Sequence, residues 1–476
     1  MADVRPLPPL PASYRPDPAF ASLHTAHPGR LADPVAAAEF PAARIRFRND
    51  RWAAAVGLGD LSDADWVRHF ARFAPLPDNQ PEPLALRYHG HQFGVYNPEI
   101  GDGRGFLFAQ LRDRHGRLLD LGTKGSGQTP YSRFGDGRLT LKGAVREVLA
   151  TEMLEALGVE TSKTFSMVET GEELVRGDEP SPTRSAVLVR LQHSHIRIGA
   201  FQRLATEHDG ATMAALARYC LDRYFGGAGG ASESDAAVRL HAHAVAAVAR
   251  QVAGYMAAGF VHGVLNSDNI AITGESFDYG PWRFAESWDP GFTAAYFDQT
   301  GLYAFGRQPE AMHWNLGQLA MALRLIAPAE PLIEQHRRFP ELYARELAAA
   351  LRWRLGFAGR GDEADMALAE TLVKALRETR VPLATFYHDW MGRPADPPPG
   401  YDGEVWAAFR EAAAAQGVAR PRGDRWDGPP VAMLIDEVEA IWAPIADADD
   451  WTLFDRKVAA VRALGRAFSG GSDAPA

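Results

Sequence analysis

Two short stretches carry an amide and a carboxylate that could hold a metal: HGVLNSDNIAI, residues 262 to 272, and FDYGP, residues 277 to 281. Asn269 and Asp278 stand nine residues apart across a predicted turn. An amide oxygen and a carboxylate are hard ligands suited to Mg²⁺, which otherwise keeps waters and takes phosphate oxygens. Either residue alone is an ordinary turn former. In GDGRG, residues 101 to 105, glycines would let backbone N–H groups approach a phosphate, and Arg104 would add a charge-assisted contact. A plain hairpin turn would use the same residues. Gly-Lys-Ser/Thr occurs nowhere, so this is not a Walker A loop.

Four more charged residues have chemical potential only if the fold gathers them. Lys124 ends the stretch LLDLGTK, and Glu147 lies amid the apolar positions of LKGAVREVLATEMLEALG. A carboxylate near a buried face calls for a cationic partner. Arg190 in SAVLVRL and Arg197 in SHIRIGAF would neutralise an anion if they shared a pocket. On spacing alone all four read as surface charges. His89 and His91 in RYHGHQFG, like His241 and His243 in HAHA, lack a third metal ligand at diagnostic spacing, and for the first pair hydrogen bonding is the simpler role.

The elements that must position these residues change character along the chain. Residues 1 to 85 are rich in Pro and Ala and read as an extension packed on a core. SDADWVRHFARF is its predicted helix, with Ser62 as N-cap, and PLPDNQPEP reads as a linker. Residues 86 to 195 read as a β-rich lobe. GFLFAQLRD and LLDLGTKG form a hairpin across RHGR, one helix spans 141 to 158 with Gly158 closing it, and SKTFSMVET, GEELVRG and SAVLVRLQ are strands. From 196 to 330 the pattern is helical, led by DAAVRLHAHAVAAVARQVAGYMAAG and WNLGQLAMALRLIA. Residues 331 to 476 form a further helical region ending in a flexible tail, SGGSDAPA.

Bulk composition narrows the class. The chain has 476 residues, 46% of them apolar and 23% charged, the texture of a globular protein. Its net charge of -10 gives no chain-wide basic footprint for nucleic acid. Prolines fill the N-terminus where a signal peptide needs an apolar run, and no uncharged run reaches membrane-spanning length. A cytoplasmic protein without membrane or nucleic-acid partners is the expectation. Cys220 is the single cysteine, expected as a buried small residue on a helix.

A β-rich lobe followed by a helical one, with Lys124, Glu147, His262, Asn269 and Asp278 in that order, is the plan of a protein kinase. The expected fold class is α+β, kinase-like and bilobal, with an extra helical C-terminal region. One part is missing. A kinase loop carries its catalytic Asp five residues before the Asn, and here that position is Val264. Val264 cannot act as a base.

The segments RYHGHQFGVYNPEIGDGRG, DLGTKGSGQTPYSRFGDGRLTLKGAVRE and HGVLNSDNIAITGESFDYGP together resemble the selenoprotein O family of protein adenylyltransferases. The resemblance is strong over residues 85 to 310. It implies a pseudokinase fold that binds ATP inverted, with the γ-phosphate buried and the α-phosphate facing an acceptor. AMP would pass to Ser, Thr or Tyr hydroxyls of proteins, and pyrophosphate would leave. By the same resemblance Lys124 lies on the buried phosphates with Glu147 as its ion-pair partner. Arg190 and Arg197 take the phosphate tail, and Gly101, Gly103, Arg104, Asp136 and Gly137 make further nucleotide contacts. Asn269 and Asp278 are the Mg²⁺ or Mn²⁺ ligands, with Asp278 also on ATP, and Asp268 is the proton acceptor. Two other readings stand beside this one. Val264 argues against a kinase-like phosphotransferase. The retained set of Lys124, Glu147, Asp268, Asn269 and Asp278 argues against a nucleotide-binding scaffold. The family often carries a C-terminal cysteine or selenocysteine. This tail has neither, so control by an intramolecular disulfide is not expected.

Overall fold

The computed structural model describes residues 13–177 and 179–469. The proline-rich start through residue 12, and all of the SGGSDAPA tail but its first residue, lie outside the described residues. Leu107–Arg112 and Leu118–Lys124 form the expected hairpin, antiparallel, with Leu111 opposite Leu119. Asp113 fixes its turn: one carboxylate oxygen accepts from the backbone N–H of His115 and of Arg117, both at 2.9 Å. This is the local competition by which Asp ends strands.

The hairpin lies inside an eight-stranded sheet. Its order is Ala32–Pro34, Leu84–Leu86, Leu107–Arg112, Leu118–Lys124, Thr183–Gln192, Lys163–Leu174 and Arg44–Arg48, with Leu139–Thr140 also paired to Thr183–Gln192. Segments before residue 50 thus supply both edge strands. Residues 52 to 76 cover the outer face. Val187, Val189 and Leu191 face Trp66, Phe70 and Phe165, while Ala186 and Leu188 face the Leu141–Ala156 helix. Alternation with period two puts these two sets on opposite faces. Trp66 stacks on Phe165 at 5.0 Å. Each fully buried Phe of this layer contributes about 1.5–3 kcal/mol. The helix that carries Trp66, Asp63–Phe70, starts at Ser62, whose hydroxyl accepts from Asp65 N–H at 3.2 Å.

Lys163–Leu174 is one strand, where the sequence predicts two that part near Gly171. Gly171 adopts φ +77°, and the pairing register with Thr183–Gln192 shifts between Arg184 and Ala186. A bulge absorbs the glycine without ending the strand. The Leu141–Ala156 helix begins at Thr140, whose hydroxyl accepts from Gly143 N–H, and Gly158 follows its end at φ +77°.

The second half is helical. Glu233–Ala258 starts at Ser232 and stops at Gly259, and it packs against Gly210–Tyr224, Gln308–Leu323 and Phe339–Leu355. Cys220 is fully buried on Gly210–Tyr224. Among the described residues no helix is long and apolar enough to cross a membrane. The end of the chain returns to the β-lobe: Thr452–Phe468 packs on Leu141–Ala156, and Arg462 grips Glu152 in two bonds of 2.7 and 2.8 Å.

Candidate active site

Local bonds shape the 262–282 segment before any ligand is considered. Phe260–Val261 pairs with Arg283–Phe284 and pins both ends together. Inside the loop the buried His262 is a strut. Its Nε2 donates to the Phe277 carbonyl at 3.0 Å, and its Nδ1 accepts from Val264 N–H at 3.4 Å. Both bonds are satisfied at once by a neutral ring, and burial lowers the pKa of His262 accordingly. Asn269 Nδ2 donates to the Val264 carbonyl at 3.0 Å. Val264 therefore serves through its backbone. The loop ends at Asp278, held at φ +63°, a region that costs a non-glycine residue about 1–3 kcal/mol.

Asp278 is the centre of a cation cluster. Lys124 Nζ lies 2.9 Å from its Oδ1, Arg190 Nη1 lies 3.5 Å from the same atom, and Arg197 Nη1 lies 3.6 Å from Oδ2. Lys124 also meets Glu147 at 2.7 Å, and Arg190 approaches Glu147 at 3.7 Å. The four residues that spacing left apart are thus in one place. Lys124, Arg190 and Arg197 are 3–4% exposed and Glu147 is fully buried. Burial pushes the Asp278 carboxyl up, but Lys124, Arg190, Arg197 and Arg104 outweigh it and hold the group well below the usual carboxylate range. Burial alone would lower the pKa of Arg197. Tyr88, Asp102, Asp278 and Asp268 reverse that and raise it.

Asp268 adjoins the same guanidinium nitrogen: Arg197 Nη1 donates to the Asp268 carbonyl at 2.8 Å. Its Oδ2 accepts from Gln92 Nε2 at 3.3 Å, and its Oδ1 is buried with no hydrogen-bond partner. Burial pushes its pKa up to about 6, against the pull of Arg197. A carboxylate with a free oxygen and a pKa near the working range is suited to accept a proton.

Lys124, Arg190, Arg197, Asp268 and Asp278 line a cleft of about 620 Å³, together with Gly101, Gly103, Arg104, Asp136 and Gly137, while Glu147 and Asn269 stand behind its lining. Among the described residues the lining holds seven Lys or Arg side chains and four carboxylates, so it is built for an anion. The glycines have an additional steric reason. A Cβ on Gly101 would run into the Tyr131 ring, and one on Gly103 would lie 2.9 Å from the Tyr131 carbonyl oxygen. Asp136 reaches the rim, where Arg176 Nη1 meets it at 2.8 Å. The histidines of RYHGHQFG take hydrogen bonds: His89 with the Tyr96 hydroxyl and His91 with Gln202, each at 2.7 Å.

Sequence reasoning passed over two residues here. Asp102, inside GDGRG, takes Arg197 Nη2 at 3.0 Å and the Leu86 N–H at 3.1 Å, so it fixes the guanidinium. The signal was an acid within a glycine cluster that also needed a partner for an arginine. Gln92 carried no such signal.

The donor set fits a divalent cation in type. Asn269 spends its Nδ2 on Val264, which leaves the amide oxygen as its free polar atom, and the Asp278 side chain is 24% exposed at the cleft.

A family model described as Protein adenylyltransferase SelO matches residues 17–393. Among curated relatives, a protein nucleotidyltransferase YdiU of Synechocystis sp. is 42% identical, covering 89% of this chain and 93% of that protein. The protein of the same name from Gloeobacter violaceus is 42% identical, covering 92% of this chain and 93% of its own length. Among solved structures, a rhoptry antigen kinase domain of Toxoplasma gondii covers 62% of this chain and 84% of its own at 12% identity, with a TM-score of 0.27. At that score the likeness adds nothing to the arrangement already described: a sheet lobe, a helical lobe, and a strand lysine paired to a helix glutamate beside the 262–282 loop. Matched over most of its length by the family model and by relatives at about 40% identity, this chain belongs to the SelO family of protein adenylyltransferases.

Proposed function

We propose that this nucleotidyltransferase moves AMP from ATP onto Ser, Thr or Tyr hydroxyls of proteins, with ATP inverted in the cleft. The observation that carries the reading is that Arg197 Nη1 joins two parts of the cleft: Asp278, in the buried cluster with Lys124 and Arg190, at 3.6 Å, and the backbone carbonyl of Asp268 at 2.8 Å. The β- and γ-phosphates fit the cluster, where three buried cations meet Glu147 and two cleft carboxylates, Asp278 and Asp102. The α-phosphate then faces Asp268. Asn269 and Asp278 would hold Mg²⁺ or Mn²⁺, which supplies neutralisation of phosphate charge.

In the proposed step the acceptor oxygen bonds to the α-phosphorus as the bond from that phosphorus to the β-bridging oxygen breaks. Pyrophosphate carries away the electron pair, and the hydroxyl proton passes to Asp268. The chain's own contribution is alignment and charge: Asp102 holds Arg197, Glu147 holds Lys124, and both cations meet charge on the leaving phosphates. Asp268→Asn keeps the shape and removes the base. AMP transfer in single-turnover assays should fall by about 10²–10⁴-fold, while ATP affinity stays near the original.

The deciding experiment runs two reactions with divalent metal and an acceptor protein, one with ATP labelled on the α-phosphate and one on the γ-phosphate. Protein label from the α-position alone is expected. Label from the γ-position alone would make this a kinase. Label from neither position, across a panel of acceptors, would leave a nucleotide-binding scaffold.

A further inference from the structure

The face just outside Asp268 has the opposite character to the cleft. Residues 91–93 of a small hairpin, Gly90–Gln92 paired with Val95–Asn97, bond to the 266–268 loop. His91 N–H donates to Ser267 at 2.7 Å, Gln92 to Asp268 at 3.3 Å, and Phe93 N–H to Asn266 at 3.0 Å. Asn266 also takes the Tyr303 hydroxyl at 2.7 Å. Phe93 is held at φ +50° by this arrangement, and its ring packs on Tyr303 at 5.0 Å and Phe297 at 5.8 Å. From there the surface is aromatic and exposed. Tyr296, 84% exposed, touches the 47% exposed Phe297 at 5.1 Å. Trp314, 44% exposed, stands against His91 at 5.1 Å, and Val95 at the hairpin tip is 70% exposed.

Large apolar side chains contiguous on a surface mark an interaction site. Aromatic residues are the usual anchors of such sites. Phe93, Val95, Tyr296, Phe297 and Trp314 carry no charge, so a nucleotide phosphate gains nothing from them. The patch is also continuous with the carboxylate that would accept the acceptor's proton. We infer that Phe93, Val95, Tyr296, Phe297 and Trp314 dock the acceptor polypeptide, and that they select segments with an aromatic or aliphatic side chain within a few residues of the target hydroxyl. This rests on the AMP-transfer reading and specifies its substrate class. The hairpin would then set two distances at once: Gln92 that of Asp268, and Phe93 that of the acceptor's apolar anchor.

The test uses two synthetic peptides that share one Tyr acceptor. One carries Leu and Phe at two to four residues on either side, and the other carries Gln at those positions. With α-labelled ATP, the wild type should show a kcat/KM at least about tenfold higher for the apolar peptide, the size of discrimination an apolar contact gives. In a double variant, Tyr296→Ser with Phe297→Ser, that ratio should fall towards one, with the Tm and the affinity for a fluorescent ATP analogue unmoved. Equal use of the two peptides by the wild type, or a preference that survives in the double variant, would overturn the docking surface and leave AMP transfer standing. Label on neither peptide nor any protein acceptor would overturn AMP transfer itself, and the docking surface with it. A wild-type dimer that the double variant converts to monomer would assign the patch to a second copy of this chain and overturn the proposal.

Discussion

Two aspartates in this molecule each gather three cations, and they do so for different ends. Asp278 meets Lys124, Arg190 and Arg197 in the cleft; Asp449 meets Arg44, Arg46 and Arg184 behind the sheet. Both are positive-φ residues, at +63° and +53°, and both carboxyls lie below their ordinary pKa. Further carboxylates share the load at both: Glu169 takes Arg46 and Arg184, each at 2.7 Å, while Glu147 takes Lys124 at 2.7 Å and Asp102 takes Arg197 at 3.0 Å. The surroundings differ in exposure. Water reaches Asp449, whose side chain is 40% exposed. Around Asp278 the three cations are 3–4% exposed and line the cleft. The cluster at Asp449 staples a fold; the one at Asp278 lines a cleft.

The sharpest way to break this contrast is at Lys124. Lys124→Ala strands Glu147, which is fully buried. Loss of one partner of a buried pair costs about 3–5 kcal/mol, so denaturant unfolding should show a large fall in stability. AMP transfer should fall at least about a hundredfold. The double replacement Lys124→Met with Glu147→Leu should regain most of the stability and none of the transfer. Recovery of transfer would show that the pair serves structure alone. Arg197→Ala is the next step down. It frees Asp102 in the buried wall and should weaken ATP binding about ten- to a hundredfold, measured by titration with a non-hydrolysable analogue.

What the sequence disclosed about these clusters follows from the range of the interactions. The hairpin 107–124, the helix with Glu147 and the Ser62 cap are local, set by periodicity and capping within a few residues, and they stand where the pattern puts them. Lys124, Glu147, Arg190, Arg197 and Asp278 were nameable as types, but their meeting depends on sheet order, which no spacing encodes. Asp102 was hidden because its partner is 95 residues away. The edge strands Ala32–Pro34 and Arg44–Arg48 were illegible for another reason. They are three and five residues long, too short for alternation to show in a Pro- and Ala-rich stretch. Asp449 lay in a region readable only as helices, and its pairing with Arg46 spans 403 residues.

Between the two extremes lies the grip of the C-terminal helix on the helix that carries Glu147. Glu152 is 4% exposed and Arg462 supplies both of its close charge-assisted bonds. Arg462→Ala should cost about 1–3 kcal/mol in unfolding free energy, the price of a buried carboxylate left without its donor. Replacing Glu152 as well, by Gln, should return part of it. If this helix merely rests on the β-lobe, Arg462→Ala will be silent in both stability and transfer.

The smallest effect belongs to Asp449, and its dependence on conditions separates it from the cleft. Slight burial raises this carboxyl, while hydrogen bonds from Arg184, Trp451 and Arg46 draw it well below the ordinary value. An exposed pair of this kind is worth at most about 1 kcal/mol after solvent screening. Asp449→Ala should therefore lower stability by no more than that at low salt, and by less near 1 M NaCl. The pH sign follows from the direction of the shift. In the unfolded chain the carboxyl titrates near about 3.9, so the stabilisation is complete above that pH and is lost as the pH falls below it. The gap in unfolding free energy between wild type and Asp449→Ala should shrink steadily below about pH 4. A gap that persists in high salt, or at low pH, would mean that Asp449 acts through its backbone turn and not through its charge.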